Sequence, residues 1–208
     1  PFILQYSATI EAIPHGAPGL RVKVRKIRRL VEKAKRKPEF RARVAELIEH
    51  LPEKDQSGEI ETLVEYARNG IRYMRDPWAP GGLELFIEPM TMMRDVERGA
   101  AHGDCDDHVL LASALLETAG YPTRYVVGGL PPDRYAHIWL EVRHPKQGWL
   151  PIEMTKKDWP IGRDPSGKFQ LVETHLGDPE MPPPLQIKPG GSTPIAVMSQ
   201  KPEGPVMA

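Results

Sequence analysis

The stretch that decides the fold is Gly103-Asp104-Cys105-Asp106-Asp107-His108-Val109-Leu110-Leu111-Ala112, which runs on through Leu115 and Leu116 to Ala119-Gly120. Asp104 is a residue type that caps helix N-termini, and the apolar positions after it form one broad hydrophobic face. Gly120 stands where the C-terminal glycine of a helix belongs. The pattern predicts a buried helix that begins beside Cys105, with Asp104 and Asp107 as its capping and first-turn acids.

A thiol at the start of a helix is a candidate nucleophile. Unpaired backbone N–H groups and the positive end of the helix dipole favour the thiolate form of Cys105. The carboxylates of Asp104, Asp106 and Asp107 act in the opposite direction, because nearby negative charge raises the pKa of a thiol. Catalysis by cysteine also needs an imidazole that carries a proton and a third polar group that orients the imidazole.

The sequence after the helix offers both groups. Three strand candidates, at residues 124–127, 137–142 and 149–153, are separated by Gly and Pro turns and predict an antiparallel sheet behind the helix. His137 begins the second strand and Glu153 ends the third. Neighbouring antiparallel strands can place these two side chains together beside the helix that presents Cys105. The residues therefore predict a catalytic set of Cys105, His137 and Glu153.

Four motifs in combination make the chain similar to a known superfamily. They are Gly103-Asp104-Cys105, the helix end at 119–124, Ala136-His137-Ile138-Trp139-Leu140-Glu141-Val142, and Gly148-Trp149-Leu150-Pro151-Ile152-Glu153-Met154-Thr155. Together they resemble the transglutaminase-like (papain-like cysteine) superfamily, over roughly residues 20 to 165. The Gly-Asp-Cys-Asp-Asp run at 103–107 and the stretch at 71–77 resemble the phage and prophage branch.

The resemblance implies an α+β fold, with the nucleophile helix packed on an antiparallel sheet. It implies thioester chemistry on protein or peptide amides without a cofactor or a metal. By position, Cys105 would be the nucleophile, His137 the general base and acid, and Glu153 the residue that orients His137. The family usually has Asp-Pro-Thr where this chain has Glu153-Met154-Thr155. Because Glu is one methylene longer than Asp, either the geometry has adjusted or the third role is weakened.

An oxyanion hole would stabilise the tetrahedral intermediate of such a reaction. The backbone N–H of Cys105 is the natural first donor, since it lies at the helix N-terminus. The superfamily adds a side-chain donor from upstream in the chain. Tyr73 is the first candidate for that donor here, and Trp78 is the second.

The remainder of the chain divides into four predicted segments. Residues 1–20 read as an irregular N-terminal arm, and residues 21–75 as a helical region. In that region the periodicity predicts one helix from Lys26, a second that starts at Pro38, and a third capped by Ser57. Residues 76–177 form the expected catalytic core. Residues 178–208, rich in proline and glycine, read as a tail.

Charge is balanced over the whole chain, with 28 Lys and Arg against 28 Asp and Glu, but it is unevenly distributed. Ten basic residues and one acid lie between Arg21 and Lys37. Such a helix could bind nucleic acid, but without interleaved aromatic residues a solvated face is the favoured interpretation. The single cysteine excludes an intramolecular disulfide framework, and no apolar run has membrane-spanning length. We therefore expect no membrane association and a cytoplasmic location in a host cell, or a place in a virion.

Several alternatives stay open at this point. The run from His102 to His108 could be read as metal ligands, but neighbours on a helix point in different directions and no Cys-x-x-Cys pair accompanies them. A catalytically silent virion or assembly component could keep the fold as a binding module, with phage structural proteins that order the tail. A cysteine peptidase that processes assembly proteins is a third reading. His15, His50, His144 and His175 belong to no constellation that indicates a function.

Overall fold

The computed structural model describes residues 7–14, 16–75, 83–132, 134–176 and 185–186. Its helices are α1 (Gly16–Lys35), α2 (Pro38–Ile48), α3 (Gln56–Gly70), α4 (Pro89–Glu97) and α5 (Cys105–Thr118), with a 3-10 turn at Ser166–Lys168. Its strands are β1 (Ala8–Ala12), β2 (Arg72–Tyr73), β3 (Leu83–Ile87), β4 (His102–Gly103), β5 (Thr123–Leu130), β6 (Arg134–His144), β7 (Gly148–Ile152), β8 (Leu171–Leu176) and β9 (Leu185–Gln186). Among the described helices, none has both the length and the apolar character needed to cross a bilayer.

A five-stranded antiparallel sheet with the order β7-β6-β5-β8-β9 forms one layer of the fold. The three strands predicted after the nucleophile helix are β5, β6 and β7, and they pair in antiparallel fashion as expected. Each of β5 and β6 is longer than predicted. Two small ladders, β1 with β3 and β2 with β4, complete the strands of the described chain.

Helix α5 lies at the centre of the molecule, because almost its whole surface is apolar. Leu111, Leu115 and Leu116 are fully buried, and the helix packs on α1, α3 and the strands β5 and β6. A buried Ser113 hydroxyl bonds to Thr123 and Tyr125 at 2.8 and 2.9 Å, so the polar group inside this interface is satisfied. The predicted α+β fold, with the nucleophile helix on an antiparallel sheet, is confirmed.

The N-terminal segment differs from the predicted irregular arm. Residues 8–12 form strand β1, and α1 begins at Gly16, ten residues before the predicted start at Lys26. The residues that resemble a turn, Gly16-Ala17-Pro18-Gly19, form the first turn of the helix. A Cβ atom on Gly19 would lie 1.5 Å from the carbonyl oxygen of Pro14, so only glycine fits this close approach.

The cap of α3 was predicted at Ser57, and this prediction is wrong. Asp55 is the N-cap residue, and its side chain accepts a hydrogen bond from the Gly58 N–H at 3.0 Å. Both residue types can cap a helix, but Asp55 comes first in the chain and leaves Ser57 inside the first turn. The Ser57 hydroxyl lies 3.2 Å from Nε2 of the buried His144. Helix α2 begins at Pro38, as predicted.

The hydrophobic core is continuous from the N-terminal helices to the sheet. Buried side chains from Ile13 in the N-terminal segment to Met154 after β7 belong to one cluster. The predicted division between residues 75 and 76 therefore does not separate two cores. In the predicted tail, residues 185–186 form β9 and pair with β8, and the other residues of 178–208 lie outside the described chain.

Candidate active site

The N-terminus of α5 is built by a reciprocal pair of caps. Asp104 accepts a hydrogen bond from the Asp106 N–H at 3.1 Å, and its own N–H donates to Asp107 Oδ2 at 3.1 Å. A Cβ atom on Gly103 would come within 2.5 Å of the Asp107 side chain. The Gly-Asp-Cys sequence is therefore explained locally, because glycine leaves the space in which Asp107 folds back over the helix start.

Cys105 is the first residue of α5, and it is partly buried. It lines a cavity of about 270 Å³ together with His137 on β6. The apolar part of the wall includes Ile13 and Leu20 from the N-terminal segment and Val127 from the sheet. The start of α5 and strand β6, which lies between β7 and β5 in the sheet, thus bring the predicted nucleophile and the predicted base to one cavity.

Burial raises the pKa of the Cys105 thiol, and the carboxylates of Asp104 and Asp106 raise it further. A backbone hydrogen bond from Ile138 and the ammonium of Lys23 lower it, but by less. Burial and the carboxylates together thus outweigh the groups that lower this pKa, and they favour the neutral thiol.

His137, inside β6, and Glu153, the first residue after β7, lie in contact on two neighbouring strands, so His137 does not begin its strand as predicted. His137 Nε2 is 2.7 Å from Glu153 Oε2, so the longer Glu side chain still reaches the imidazole. The other oxygen, Oε1, accepts hydrogen bonds from the Thr155 N–H at 2.9 Å and the Thr155 hydroxyl at 2.7 Å. Burial alone would raise the pKa of Glu153, but the bonds from His137 and Thr155 outweigh it and hold this pKa below its ordinary range.

The ring of His137 belongs to an aromatic stack. The Phe169 ring lies 6.0 Å from the His137 ring and 5.6 Å from that of the buried Trp139, and all three planes are close to parallel. Gly128 pairs with His137 across β5 and β6, and a Cβ atom there would come within 2.4 Å of the Phe169 ring. Glycine at this position therefore makes room for the stack.

Lys23 on α1 is the member of the site that sequence reasoning missed. It lines the same cavity as Cys105, and its ammonium pairs with Glu84 at 2.7 Å and with Asp106 at 3.2 Å. Burial alone would lower the pKa of Lys23, but the two carboxylates raise it well above its ordinary value. Burial likewise favours a protonated Asp106, yet the bond from Asp104 and the ammonium of Lys23 lower its pKa. Nothing in the sequence separates Lys23 from the nine other basic residues of its segment.

The two side-chain candidates for the oxyanion hole are placed differently. Tyr73 pairs with Gly103 in the short β2–β4 ladder, is half exposed, and has its ring 6.3 Å from that of His108. It is not among the described residues that line the Cys105 cavity. Trp78 lies outside the described residues. The backbone N–H of Cys105 belongs to the first turn of α5, as the helix start requires.

Three side chains that could bind a metal ion lie together at the helix start: Asp104, Cys105 and Asp106 have one ligand atom each, and these atoms lie within 4.8 Å of one another. The positive charge that these groups face comes from Lys23. The two flanking histidines are engaged elsewhere, because Nδ1 of His102 lies 2.7 Å from the Ala100 carbonyl oxygen and Nδ1 of His108 lies 2.7 Å from that of Asp104.

Comparisons with known proteins agree with this architecture. The sequence model of the transglutaminase-like superfamily matches residues 45–154. A comparison with curated protein sequences finds no match. A provisionally assigned cysteine protease from Cytophaga hutchinsonii has a similar structure, with a TM-score of 0.41 at 14% identity over 57% of this chain and 37% of that chain.

Two further solved structures are similar. A provisionally assigned protease from Parabacteroides distasonis ATCC 8503 has a TM-score of 0.47 at 12% identity, over 83% of this chain and 32% of that one. LapG from Legionella pneumophila has a TM-score of 0.38 at 18% identity, over 73% and 77% of the two chains. This chain thus spans about a third of the length of the Cytophaga and Parabacteroides proteins. At these identities the likeness concerns the fold alone.

Proposed function

Because the chain belongs to the transglutaminase-like superfamily, we propose that it is a thiol-dependent acyltransferase or amidohydrolase that acts on protein or peptide amides. The observation that carries the proposal is the 2.7 Å bond between His137 Nε2 and Glu153 Oε2, with His137 and Cys105 lining one cavity. Cys105 is the proposed nucleophile, His137 the general base and acid, and Glu153 the residue that orients His137.

The hydrogen bond to Glu153 determines which ring nitrogen of His137 can act as the base. An ionised carboxylate only accepts hydrogen bonds, so in neutral His137 the proton is on Nε2. The lone pair is then on Nδ1, which is the nitrogen left for the thiol of Cys105. This tautomer is the one that a general base needs before the attack.

The raised pKa of Cys105 favours proton transfer during the attack over a preformed ion pair. In the first step the Cys105 sulfur bonds to the carbonyl carbon of the amide while its proton passes to His137 Nδ1. The tetrahedral intermediate collapses, the C–N bond breaks, and the leaving amine takes the proton from His137. The product of this half-reaction is a thioester on Cys105.

The second half-reaction returns the enzyme to its starting state. Water or an amine loses a proton to His137 and bonds to the thioester carbon, and the C–S bond breaks with the proton returned to Cys105. Water gives a carboxylic acid and an amine gives a new amide. The backbone N–H of Cys105, at the helix N-terminus, stabilises the oxyanion in both half-reactions. Tyr73 and Trp78 stay candidates for a second donor.

Product analysis separates the reactions that this chemistry allows. Released ammonia or isopeptide cross-links identify amide exchange or deamidation, whereas cleaved backbones identify a cysteine peptidase. A phage or prophage origin stays a hypothesis that rests on the Gly-Asp-Cys-Asp-Asp run at 103–107. With that origin we would expect a cytoplasmic or virion location and phage structural proteins as partners. A Cys105 that forms no thioester would favour the catalytically silent binding module.

The test measures acylation of Cys105 by an activated aryl ester, which needs no knowledge of the natural substrate. We expect His137→Ala to reduce the acylation rate by about 10²- to 10⁴-fold, since that is the usual contribution of a general base. His50→Ala removes an exposed histidine from the turn after α2 and is the matched control, with the native rate expected. Equal rates in both variants would contradict the proposed role of His137.

A further inference from the structure

The basic segment from Arg21 to Lys37, which comprises most of α1 and the two residues after it, has its basic residues in two distinct settings. Six of them form ion pairs with acids: Lys23, Lys26, Arg28, Lys33, Lys35 and Lys37. Their partners include Glu88 before α4 and Glu117 near the end of α5, so these pairs tie α1 to the elements around it. The greater part of the positive charge that is conspicuous in the sequence is therefore neutralised within the fold.

The remaining four basic residues are all arginines, and we call Arg21, Arg25, Arg29 and Arg36 the arginine ridge. Each is exposed, and none forms an ion pair within the described part of the chain. With 3.6 residues per turn, Arg21, Arg25 and Arg29 fall within an arc of about 80° on α1 and extend over about 12 Å of its length, and Arg36 lies in the turn directly after Lys35. The stripe opposite, which includes Val24, Ile27 and Val31, is buried in the core.

The charges next to the arginine ridge leave it positive. Glu32 lies within the same arc, but its carboxylate is bonded to Lys35 at 2.9 Å and to Arg28 at 2.6 Å. Glu173 is close enough to Arg21 for that arginine to lower its pKa, but this carboxylate accepts its hydrogen bond from Tyr135. Within the described residues neither acid forms an ion pair with the arginine ridge, and Glu173 offsets at most one of its four positive charges, so the ridge keeps a net positive charge.

The choice of arginine indicates the kind of partner. Five of the six paired basic residues between Arg21 and Lys37 are lysines, whereas all four that are unpaired in the described chain are arginines. Guanidinium groups bind phosphate in a two-pronged geometry, and lysine does so only as a point charge. Proteins that hold single strands add aromatic side chains on which bases stack, but α1 from Gly16 to Lys35 has no aromatic residue. A straight row of guanidinium groups without a stacking platform fits a stiff phosphate backbone.

We propose that the arginine ridge binds the phosphate backbone of double-helical DNA without reading its sequence. The cavity that holds Cys105 lies beside Leu20 and Lys23, away from the arginine ridge on the same helix. This binding is therefore separate from the proposed thiol chemistry. It would hold the protein on DNA while leaving the cavity free.

The test is the salt dependence of binding to a labelled duplex of random sequence, measured by fluorescence anisotropy on the full chain. Four phosphate contacts predict a slope of log K against log salt of about −3.6, and each single Arg→Gln change should reduce its magnitude by about 0.9. The fourfold variant Arg21→Gln, Arg25→Gln, Arg29→Gln, Arg36→Gln should lose binding at low salt. It should still acylate Cys105 at the native rate, which establishes that it folds.

The matched control removes the same charge from other exposed positions, as Lys54→Gln, Arg98→Gln, Lys146→Gln and Lys156→Gln. Native binding by this control supports the proposal. Equal loss in the two fourfold variants would overturn it, because binding would then follow net charge alone. Absence of duplex binding at low salt, tighter binding of a single strand, or equally tight binding of polyglutamate would overturn it as well.

Discussion

The two halves of the candidate site differ in how they hold charge. At the strand end, Glu153 is 4% exposed, yet its pKa is lowered because it accepts hydrogen bonds from His137 and Thr155. At the helix start, burial and the neighbouring Asp106 raise the pKa of Asp104, and burial with these acids raises that of Cys105. Both halves are withdrawn from water, but only at Glu153 do the hydrogen-bond donors outweigh the effect of burial.

This difference shows that burial alone does not determine ionisation in the site. Burial raises the pKa of Asp104, Cys105 and Glu153 alike, and the hydrogen-bond donors and charges that face each group decide whether its pKa ends above or below the ordinary value. In the proposed mechanism the charged Glu153 therefore orients His137, whereas the helix start keeps the Cys105 thiol neutral until a substrate arrives. Lys23 limits the rise in the pKa of Cys105, because its ammonium pairs with the carboxylate of Asp106.

Removal of Lys23 should have the largest effect on stability. Lys23→Met leaves the 3% exposed side chain of Asp106 without its ammonium partner, so we expect the free energy of unfolding to fall by about 3 kcal/mol. Lys33→Met is the matched control, because the 59% exposed Lys33 side chain pairs with Glu88 at the surface, where a pair contributes about 0 to 1 kcal/mol. Urea unfolding measures both values, and similar losses would refute the role given to Lys23.

Loss of a donor should weaken the strand end by less. Thr155→Val removes the hydroxyl that donates to Glu153 at 2.7 Å, which should cost about 1.5 to 3 kcal/mol at neutral pH. Thr118→Val is the control, since the Thr118 hydroxyl is buried without a hydrogen-bond partner in the described chain, and it should be neutral or slightly stabilising.

The pH dependence of the Thr155→Val effect follows from the lowered pKa of Glu153. A carboxyl whose pKa is lowered by folding contributes stability above its unfolded pKa of about 4.3, and this stability is lost as the pH falls through the folded value. The gap in unfolding free energy between native protein and Thr155→Val should therefore narrow as the pH falls below about 4. A gap that stays constant down to acid pH would show that the hydroxyl acts through packing alone.

Disturbance of the aromatic stack should have the smallest effect. Gly128→Ala places a methyl group 2.4 Å from the ring of Phe169, which is partly exposed and can shift, so we expect a loss of about 1 kcal/mol. Acylation of Cys105 should slow as well, because His137 loses its support. Gly167→Ala meets no atom within 4 Å and should change neither stability nor acylation. Native acylation in Gly128→Ala would mean that the stack does not position His137.

The main features of the site could be predicted from the sequence because they depend on local patterns. Asp104 and Gly120 bracket a helix that is apolar throughout, and alternation of strands and turns places His137 near Glu153. These signals lie within a few residues of the groups that they position. The fold class and the three central strands could be predicted for the same reason.

Other features depend on contacts between distant segments, and no local pattern marks them. Lys23 lies 82 residues before Cys105 in the sequence, within a run of basic residues. Which of these residues form ion pairs depends on the acids that pack beside α1, and the sequence does not show those contacts. Phe169 lies in an irregular segment, and its position depends on the space at Gly128. Strand β1 and the first turns of α1 were missed because Pro14, Gly16 and Gly19 read as turn residues.

The central claim is that Cys105 is a neutral thiol at rest, and the pH dependence of its alkylation by iodoacetamide tests this most directly. The chain has one cysteine, so the rate reports on that site alone. The account predicts an apparent pKa above the ordinary value of about 8.5, with Asp104→Asn, which keeps the cap, moving it down towards that value. An apparent pKa well below 8.5 that rises in His137→Ala would contradict the account, because it would mean that the thiolate–imidazolium pair already exists before substrate binds.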